Sequence, residues 1–210
     1  MRERIIRELQ RALPEYGVTL DGAAVERLAQ YLELLTQWNG KMRLVGSVES
    51  GLLVRRHVAE SLWLSRLLPL QRQTLMDVGS GAGFPGMALQ LAWPELQVTM
   101  VDANAKKVSF LKTVARTLGM GRVLQGRLED VTATGEIVTA RALEHMEEAG
   151  PERFRHLVAP GGVAAFWIGV ETAQAWRESG GGWEWGESRV IPGSERRTIT
   201  LARRVDVERA

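Results

Sequence analysis

The sequence predicts an α/β protein: a doubly wound, mostly parallel sheet preceded by a helical segment. Three observations predict this fold class. From residue 74 onward, short apolar runs alternate with helical patterns. A glycine-rich turn at residues 79–86 follows the first of these runs. Two late strand patterns, at residues 185–191 and 198–203, lie close enough along the chain to pair antiparallel.

Length and composition indicate one compact unit. With 210 residues the chain can bury a full core, and we expect a helical segment of residues 1–70 packed on a sheet domain of residues 71–210. The chain is 45% hydrophobic, has no run long enough to cross a membrane and begins without the apolar core of a signal peptide. It contains no cysteine, which excludes disulfides, cysteine metal sites and thiolate nucleophiles. These features predict a cytoplasmic protein with no membrane partner and no metal.

Three helical patterns precede the sheet. The second begins at Asp21, a residue type that favours helix N-caps, and Asn39-Gly40 is expected to end it. The three patterns cover residues 2–12, 21–38 and 52–68.

Strands and helices alternate in the rest of the chain. Seven strands are predicted, at residues 75–78, 97–102, 122–125, 136–140, 163–168, 185–191 and 198–203. Helices are predicted at residues 85–92, 104–118, 147–157 and 173–178, and Asn104 can cap the second of these.

Residues 75–86 are the stretch around which the sequence is organised. An apolar run at Leu75–Val78 leads into four glycines, and Pro85 stands at the expected start of a helix. A strand, a glycine turn and a helix N-terminus together make a cradle of nucleotide size. A plain strand-to-helix connection is the alternative, but four glycines in eight positions exceed what a turn requires.

The glycine spacing fits two cofactors. Gly81, Gly83 and Gly86 match the G-x-G-x-x-G pattern of dinucleotide-binding proteins. Gly79, Gly81 and Gly83 match the G-x-G-x-G pattern of class I methyltransferases, which use S-adenosylmethionine. Both kinds of site need an acid at the end of the second strand to hold ribose hydroxyls, and Asp102 stands there.

Three features favour the methyl donor. Asp77 places an acid just before the first glycine, and the acidic pair Glu129-Asp130 follows the third strand, where such enzymes hold adenine. The two late strands are similar to the antiparallel pair that closes a methyltransferase sheet.

Six segments carry a more specific signal. They are LELLTQWN at 32–39, VRRHVAES at 54–61, DVGSGAGFPGMAL at 77–89, residues 102–114, QGRLE at 125–129 and TARA at 139–142. Together they resemble the ribosomal small-subunit methyltransferase G family, also called glucose-inhibited division protein B. The resemblance covers nearly the whole chain and is strongest from residue 75 to residue 142.

The resemblance implies a class I, Rossmann-like methyltransferase fold with a seven-stranded sheet, and transfer of a methyl group from S-adenosylmethionine to N7 of a guanine in 16S ribosomal RNA. It implies the following cofactor-binding residues: Gly79, Gly81, Gly83 and Phe84 near the methionine portion, Asp102, Ala103 and Asn104 at the ribose, Leu128 and Glu129 at the adenine, and Arg141 at the cofactor or the target base. Arg141 is the one candidate catalytic residue. Arg55, Arg56 and His57 are the candidates for RNA phosphate contacts. The expected partner is 16S ribosomal RNA or the small subunit, bound by a monomer.

The chemistry of the target agrees with the residues present. Guanine N7 has a free lone pair and no proton, so its methylation needs no general base. Methylation at C5 of a pyrimidine normally uses a thiolate, which this chain lacks. The Asn/Asp-Pro-Pro-aromatic motif of amine methyltransferases is absent at residues 139–143. The remaining candidates for the methyl-accepting atom are a ring nitrogen and a hydroxyl oxygen.

Four positions depart from the family pattern: Arg43, Val45, Glu60 and Ile168. Ile168 and Arg43 leave open the alternative that the protein is a cofactor-binding RNA chaperone or ribosomal assembly factor that has lost catalysis. The literal dinucleotide pattern keeps open an NAD-dependent oxidoreductase.

Overall fold

A computed structural model describes residues 1–143, 145–179 and 181–205. Seven strands form one sheet in the order β3-β2-β1-β4-β5-β7-β6, in which β7 runs antiparallel to both its neighbours and the other pairs are parallel. The strands are β1 Thr74–Val78, β2 Gln97–Asp102, β3 Arg122–Gln125, β4 Gly135–Arg141, β5 Val158–Gly169, β6 Trp183–Val190 and β7 Arg197–Arg204. The predicted fold class is confirmed, and each predicted strand overlaps an observed one.

Helices precede the sheet and cover both of its faces. The α-helices are α1 Arg2–Ala12, α2 Gly22–Met42, α3 Ser50–Leu52, α4 Glu60–Leu62, α5 Gly86–Ala92, α6 Ala105–Leu118, α7 Met146–Ala149 and α8 Val170–Glu178. Asp21 caps α2 by accepting a hydrogen bond from the Ala24 N–H at 2.6 Å, and Asn104 caps α6 in the same way. The sequence predicts both caps.

The prediction of one regular helix over residues 52–68 was wrong. The chain there changes type three times: α3 leads into a π-helical stretch at Leu53–Ala59, then α4, then a 3-10 turn at Trp63–Arg66. Carbonyls of the π-helical stretch accept hydrogen bonds from Arg141, a residue far along the chain. Local periodicity does not distinguish a π-helical stretch from a regular α-helix, and it does not reveal a donor so far along the chain.

Two other boundaries also differ from the prediction. Helix α2 passes through Asn39-Gly40 and ends at Met42, because Arg43 adopts the left-handed conformation at φ 47° and the Asn39 side chain accepts a hydrogen bond from the Val45 N–H. The predicted helix at residues 147–157 is a single α-helical turn, α7, followed by a 3-10 helix at Pro151–Leu157. Gly150, at φ 75°, separates the two.

The N-terminal helices share one core with the sheet. Buried side chains of α1, α2 and the 50–66 segment pack with those of α5, α6 and one face of the strands. Tyr31 of α2 is fully buried, and its hydroxyl donates to the carbonyl of Ala82 inside the glycine turn. Arg27 donates to the Leu91 carbonyl at the end of α5, at 2.9 Å. The helical segment therefore packs directly behind the turn that follows β1.

Replacing Gly86 by alanine should destabilise the fold by about 1–3 kcal/mol, because a Cβ built there lies 2.7 Å from the Asp77 Cβ, an atom that cannot move without its strand. Gly40→Ala is the matched control, since a Cβ at that helical position meets nothing within 4 Å and should stabilise α2 by about 0.5–1 kcal/mol. Urea unfolding of both variants measures the difference. Equal stability of the two variants would contradict the close packing at Gly86.

Candidate functional site

The glycine turn at residues 79–86 crosses the carboxyl ends of β1 and β2. The N–H groups of Gly79 and Ser80 both donate to the carbonyl of Val101, at 2.8 and 3.1 Å. Gly79, Gly81 and Gly83 have positive φ angles of 71°, 59° and 101°. Because residues other than glycine rarely adopt these φ angles, this path of the backbone requires the glycines of the sequence pattern.

Asp77 anchors the turn from below. Its fully buried carboxylate accepts hydrogen bonds from the Gly86 N–H at 2.9 Å and from the Thr139 hydroxyl at 2.8 Å. Burial raises the pKa of Asp77 to about 6, although both hydrogen bonds favour the ionised form. The acid before the first glycine therefore joins β1, the start of α5 and β4, and does not face the cleft above them.

Asp102, at the end of β2, organises the other side of the turn. One carboxylate oxygen accepts from the Gly81 N–H and the other from the Asn104 N–H, both at 2.8 Å. A carboxylate oxygen has two lone-pair sites, so each oxygen can accept one further hydrogen bond. A vicinal diol such as a ribose offers two hydroxyl donors that match these free sites.

A cleft of about 560 Å³ opens above Asp102. It is lined by Val78, Gly79, Val101, Asp102, Ala103, Asn104, Lys107, Gly126, Arg127, Leu128, Glu129, Ala142, Leu143, His145 and Arg153. Six of the predicted cofactor residues thus lie together: Gly79, Asp102, Ala103, Asn104, Leu128 and Glu129. The volume lies in the usual range for small-molecule sites.

The residues of the cleft fit a nucleoside with an amino-acid tail. A Cβ at Gly79 would lie 2.5 Å from a Leu143 methyl carbon, so a larger residue there, already disfavoured by the positive φ, would displace Leu143 at the floor of the cleft. Val78, Leu128 and Leu143 supply apolar surface for a base, and Asp102 supplies acceptors for a ribose. Glu129 is exposed and pairs with Arg153 at 2.5 Å; the hydrogen bond from this guanidinium lowers the pKa of Glu129.

Gly83 and Phe84 do not line this cleft. A Cβ at Gly83 would lie 2.8 Å from the Tyr31 hydroxyl, so this glycine permits close packing of the turn on α2. Phe84 is 7% exposed and stacks on the His57 ring with 4.9 Å between centroids. Gly81 contributes through its N–H group, which holds Asp102.

Arg141, at the end of β4, points to the helical segment. It donates to the carbonyls of Arg56 and His57, to the Ser61 hydroxyl and to the Glu60 carboxylate, the last at 3.0 Å. Its side chain is 14% exposed, and burial lowers its pKa. Arg141 therefore fastens the 56–61 stretch to the edge of the sheet where the glycine turn lies.

The three predicted RNA-binding residues have different surroundings. Arg55 makes two hydrogen bonds to Glu15, at 2.6 and 2.7 Å. Arg56 has an exposed side chain whose Nε lies 3.8 Å from a Glu60 oxygen. His57 is largely buried; burial first, and then the charges of Arg141 and Arg56, lower its pKa to about 4. At neutral pH only the two arginines carry charge.

Several site residues are not evident from sequence patterns. Lys107, Arg127 and Arg153 place positive charge at the rim of the cleft. Glu60 contacts Arg141 and also Arg197, a residue 137 positions away. The basic clusters at residues 106–122 and 189–204 are visible in the sequence, but their positions around the site are not.

The fold defines the class of protein. A SAM-dependent methyltransferase from Aquifex aeolicus superimposes with a TM-score of 0.58 at 16% identity, covering 73% of this chain and 93% of that chain. A ribosomal protein L11 methylase from Lactobacillus delbrueckii subsp. bulgaricus superimposes with a TM-score of 0.59 at 15% identity, covering 72% and 80%. The fold is that of the SAM-dependent methyltransferases.

Sequence similarity identifies the family. The family model GidB, described as rRNA small subunit methyltransferase G, matches residues 24–184. Ribosomal RNA small subunit methyltransferase G of Halorhodospira halophila is 40% identical over 158 residues, 74% of each chain. The protein of the same name in Stenotrophomonas maltophilia strain K279a is 36% identical over 202 residues, 92% of each chain. The chain belongs to the rRNA small subunit methyltransferase G family, as its motifs predicted.

Two features of the described residues bear on partners. No helix among them is long and apolar enough to cross a membrane. Within the same residues, no group of three or more His, Cys, Asp or Glu side chains could hold a metal ion.

Acidification should destabilise the protein through His57. Its pKa is about 4 in the folded state and 6.5 for a freely solvated histidine side chain, so the unfolded chain binds more protons between these values. The stabilisation is present above pH 6.5 and is lost as the pH falls toward 4. Between pH 7.5 and pH 5 the free energy of unfolding should drop by about 2 kcal/mol more in the wild type than in His57→Phe, which keeps a ring against Phe84. Identical pH profiles in urea unfolding would show that His57 does not titrate in this way.

Proposed function

We propose that this protein transfers a methyl group from S-adenosylmethionine to N7 of a guanine in the 16S ribosomal RNA of the small subunit. Membership of the rRNA small subunit methyltransferase G family carries the proposal. The cleft above Asp102 supports it, since this cleft offers acceptors for a ribose, an apolar slot for a base and an open glycine floor. The dinucleotide interpretation of the glycine pattern has no such support, and the cofactor is S-adenosylmethionine.

In the proposed complex, Asp102 with Ala103 and Asn104 holds the ribose. Leu128 and Glu129 border the adenine. Gly79 faces the methionine portion, and Gly81 acts through the N–H group that holds Asp102. Gly83 and Phe84 support the turn from behind by packing against Tyr31 and His57. The lining of the cleft and the two free acceptor sites of Asp102 support this arrangement.

The cofactor supplies a methyl group on a positively charged sulfur. The chain contributes position: it holds donor and acceptor in line and keeps water away, because direct attack by a lone pair needs no proton transfer at N7. The surroundings agree with this, since burial and two neighbouring arginines lower the pKa of His57 to about 4 and make this imidazole a weak base. Arg141 acts in this proposal as a positioning residue between the glycine turn and the 56–61 stretch.

The four departures from the family pattern have structural surroundings that preserve the site. Glu60 holds two arginines with its two carboxylate oxygens. Ile168 is 3% exposed and packs in the core. Arg43 and Val45 form the C-terminal cap of α2 together with Asn39. None of these contacts favours a protein that has lost catalysis over an active enzyme.

RNA phosphates are proposed to meet Arg56, with weaker contributions from Arg55, which Glu15 already neutralises, and from the neutral His57. We also propose that the protein acts in the cytoplasm, because its proposed substrate is part of the ribosome. Its predicted monomeric state stays a prediction.

Asp102→Ala should weaken binding of S-adenosylmethionine by about tenfold or more, because two hydrogen bonds to a charged acceptor are lost together with the hold on Gly81. Asp130→Ala removes an exposed acid close to the cleft and is the control. Isothermal titration calorimetry with S-adenosylmethionine, and with NAD as the competing cofactor, measures the effect. Unchanged affinity for S-adenosylmethionine in Asp102→Ala would show that Asp102 does not hold the ribose. Binding of NAD but not of S-adenosylmethionine would contradict the proposed function.

Mass spectrometry of 16S ribosomal RNA tests the reaction in cells. One N7-methylguanine should be present in cells that contain this protein and missing from cells that lack it. Restoration by the wild-type gene is the control. An unchanged methylation pattern in the deletion strain would contradict the proposal.

A further inference from the structure

Glu60 is the centre of a cluster of three arginines. Its carboxylate is 2% exposed and lies on the stretch that Arg141 fastens to β4. Oε2 contacts Arg141 at 3.0 Å, whereas Oε1 contacts Arg197 at 2.5 Å and Arg56 Nε at 3.8 Å. The three arginines come from β4, from the start of β7 and from the π-helical stretch.

Charge in this cluster is not balanced. Three guanidinium groups carry three positive charges, which are opposed by the carboxylate of Glu60 and, from farther away, by that of Asp77, which interacts electrostatically with Arg141. At least one positive charge is left. Among the described residues, Glu60 is the one carboxylate within 4 Å of any of these guanidiniums. A surplus of fixed positive charge beside a buried acid favours an anion as the missing partner.

Arg56 and Arg197 have N–H groups on their terminal nitrogens to spare, and Arg141 does not. Arg141 spends its terminal nitrogens on four acceptors of the helical segment. Arg197 uses Nη1 on Glu60 and Nε on the Ser194 hydroxyl, and within the described part of the chain its Nη2 has no acceptor. The side chains of Arg56 and Arg197 are 52% and 32% exposed. Both side chains are therefore accessible to solvent, and both lie beside the same oxygen of Glu60.

The cluster lies at the edge of the sheet that carries the cofactor cleft. Arg197 is in register with Gly169, the last residue of β5, and Arg141 is the last residue of β4. Ligands of open α/β sheets bind at these carboxyl ends. The stack of His57 on Phe84 connects the Arg56 stretch directly to the glycine turn.

We propose that Arg56 and Arg197 form a clamp for a single phosphodiester group of the RNA strand that enters the site. The clamp rests on the proposed function and adds Arg197 to the residues that hold the substrate. Guanidinium forks match the oxygens of a phosphate. One Glu60 oxygen holds Arg197 by a hydrogen bond and attracts Arg56 from 3.8 Å, which brings the two forks to the same place before RNA binds. Glu60 is a positioning residue of this clamp.

The test measures binding of small ribosomal subunits, isolated from cells that lack this protein, over a series of salt concentrations. Arg56→Gln and Arg197→Gln should each weaken binding by about tenfold. In the double variant the losses should be less than multiplicative, and the slope of log affinity against log salt should flatten by about 0.7, the value for one phosphate on a single strand. Affinity for S-adenosylmethionine should stay at the wild-type value in all three variants.

Arg203→Gln is the matched control. Arg203 is an exposed arginine of the same strand, in register with Val163 at the opposite edge of the sheet. Arg56→Gln should fold normally, because the substitution removes only one ion pair, at 3.8 Å. This variant therefore tests the clamp even if Arg197→Gln is misfolded.

Three results would overturn the clamp. The first is that Arg56→Gln and Arg197→Gln bind subunits as well as Arg203→Gln does. The second is a multiplicative loss in the double variant with a change of about 1.4 in the slope of log affinity against log salt, which indicates two separate phosphates, and the third is a parallel loss of cofactor affinity. Formation of N7-methylguanine by the wild-type protein tests the proposed function independently of the clamp. If the wild-type protein forms no N7-methylguanine on these subunits while the variants still lose RNA affinity as expected, the clamp stands and the proposed reaction does not.

Discussion

The buried carboxylate of Asp77 is the contact on which the rest of the site depends. It accepts hydrogen bonds from Gly86 at the start of α5 and from Thr139 in β4, so one side chain joins two strands and a helix beneath the glycine turn. With the base of the turn fixed, the N–H groups of Gly79 and Ser80 reach Val101, and Gly81 reaches Asp102. Burial of the acid disfavours its charge, and the hydrogen bonds compensate in part. The path of the turn, and with it the floor of the cleft, follows from this arrangement.

The N-terminal helices are part of the site as well as a support for the sheet. Tyr31 contacts the turn from behind, and Arg141 binds the 56–61 stretch from the end of β4. Trp167 of β5 adds a third connection by donating to the Glu60 carbonyl at 3.2 Å. The glycine turn is thus held between the sheet below and the helical segment beside it. A substitution in the 50–66 segment can alter the site although that segment contributes no residue to the cleft lining.

What the sequence predicts well is local. Glycine spacing, the acid at the end of β2 and the caps at Asp21 and Asn104 depend on neighbouring residues, and all of them appear in the structure. The errors are contacts between distant segments. The π-helical stretch at Leu53–Ala59 is in contact with Arg141, from the end of β4. Nothing in the spacing of Arg55, Glu129 or Arg197 indicates that their partners are Glu15, Arg153 and Glu60. Phe84 carries the family motif, yet it packs on His57, because a motif identifies a residue and not the direction of its side chain.

We expect the cleft above Asp102 and the arginine cluster at Glu60 to serve one methyl transfer to RNA. To test this, the purified protein is combined with S-adenosylmethionine that carries a deuterated methyl group and with small ribosomal subunits from cells without this protein. The 16S RNA is then digested to nucleosides and analysed by mass spectrometry. The deuterated methyl group should appear in N7-methylguanosine, at one site per subunit. Label in a different nucleoside, or none in RNA while S-adenosylmethionine binds normally, would contradict this assignment of the two sites.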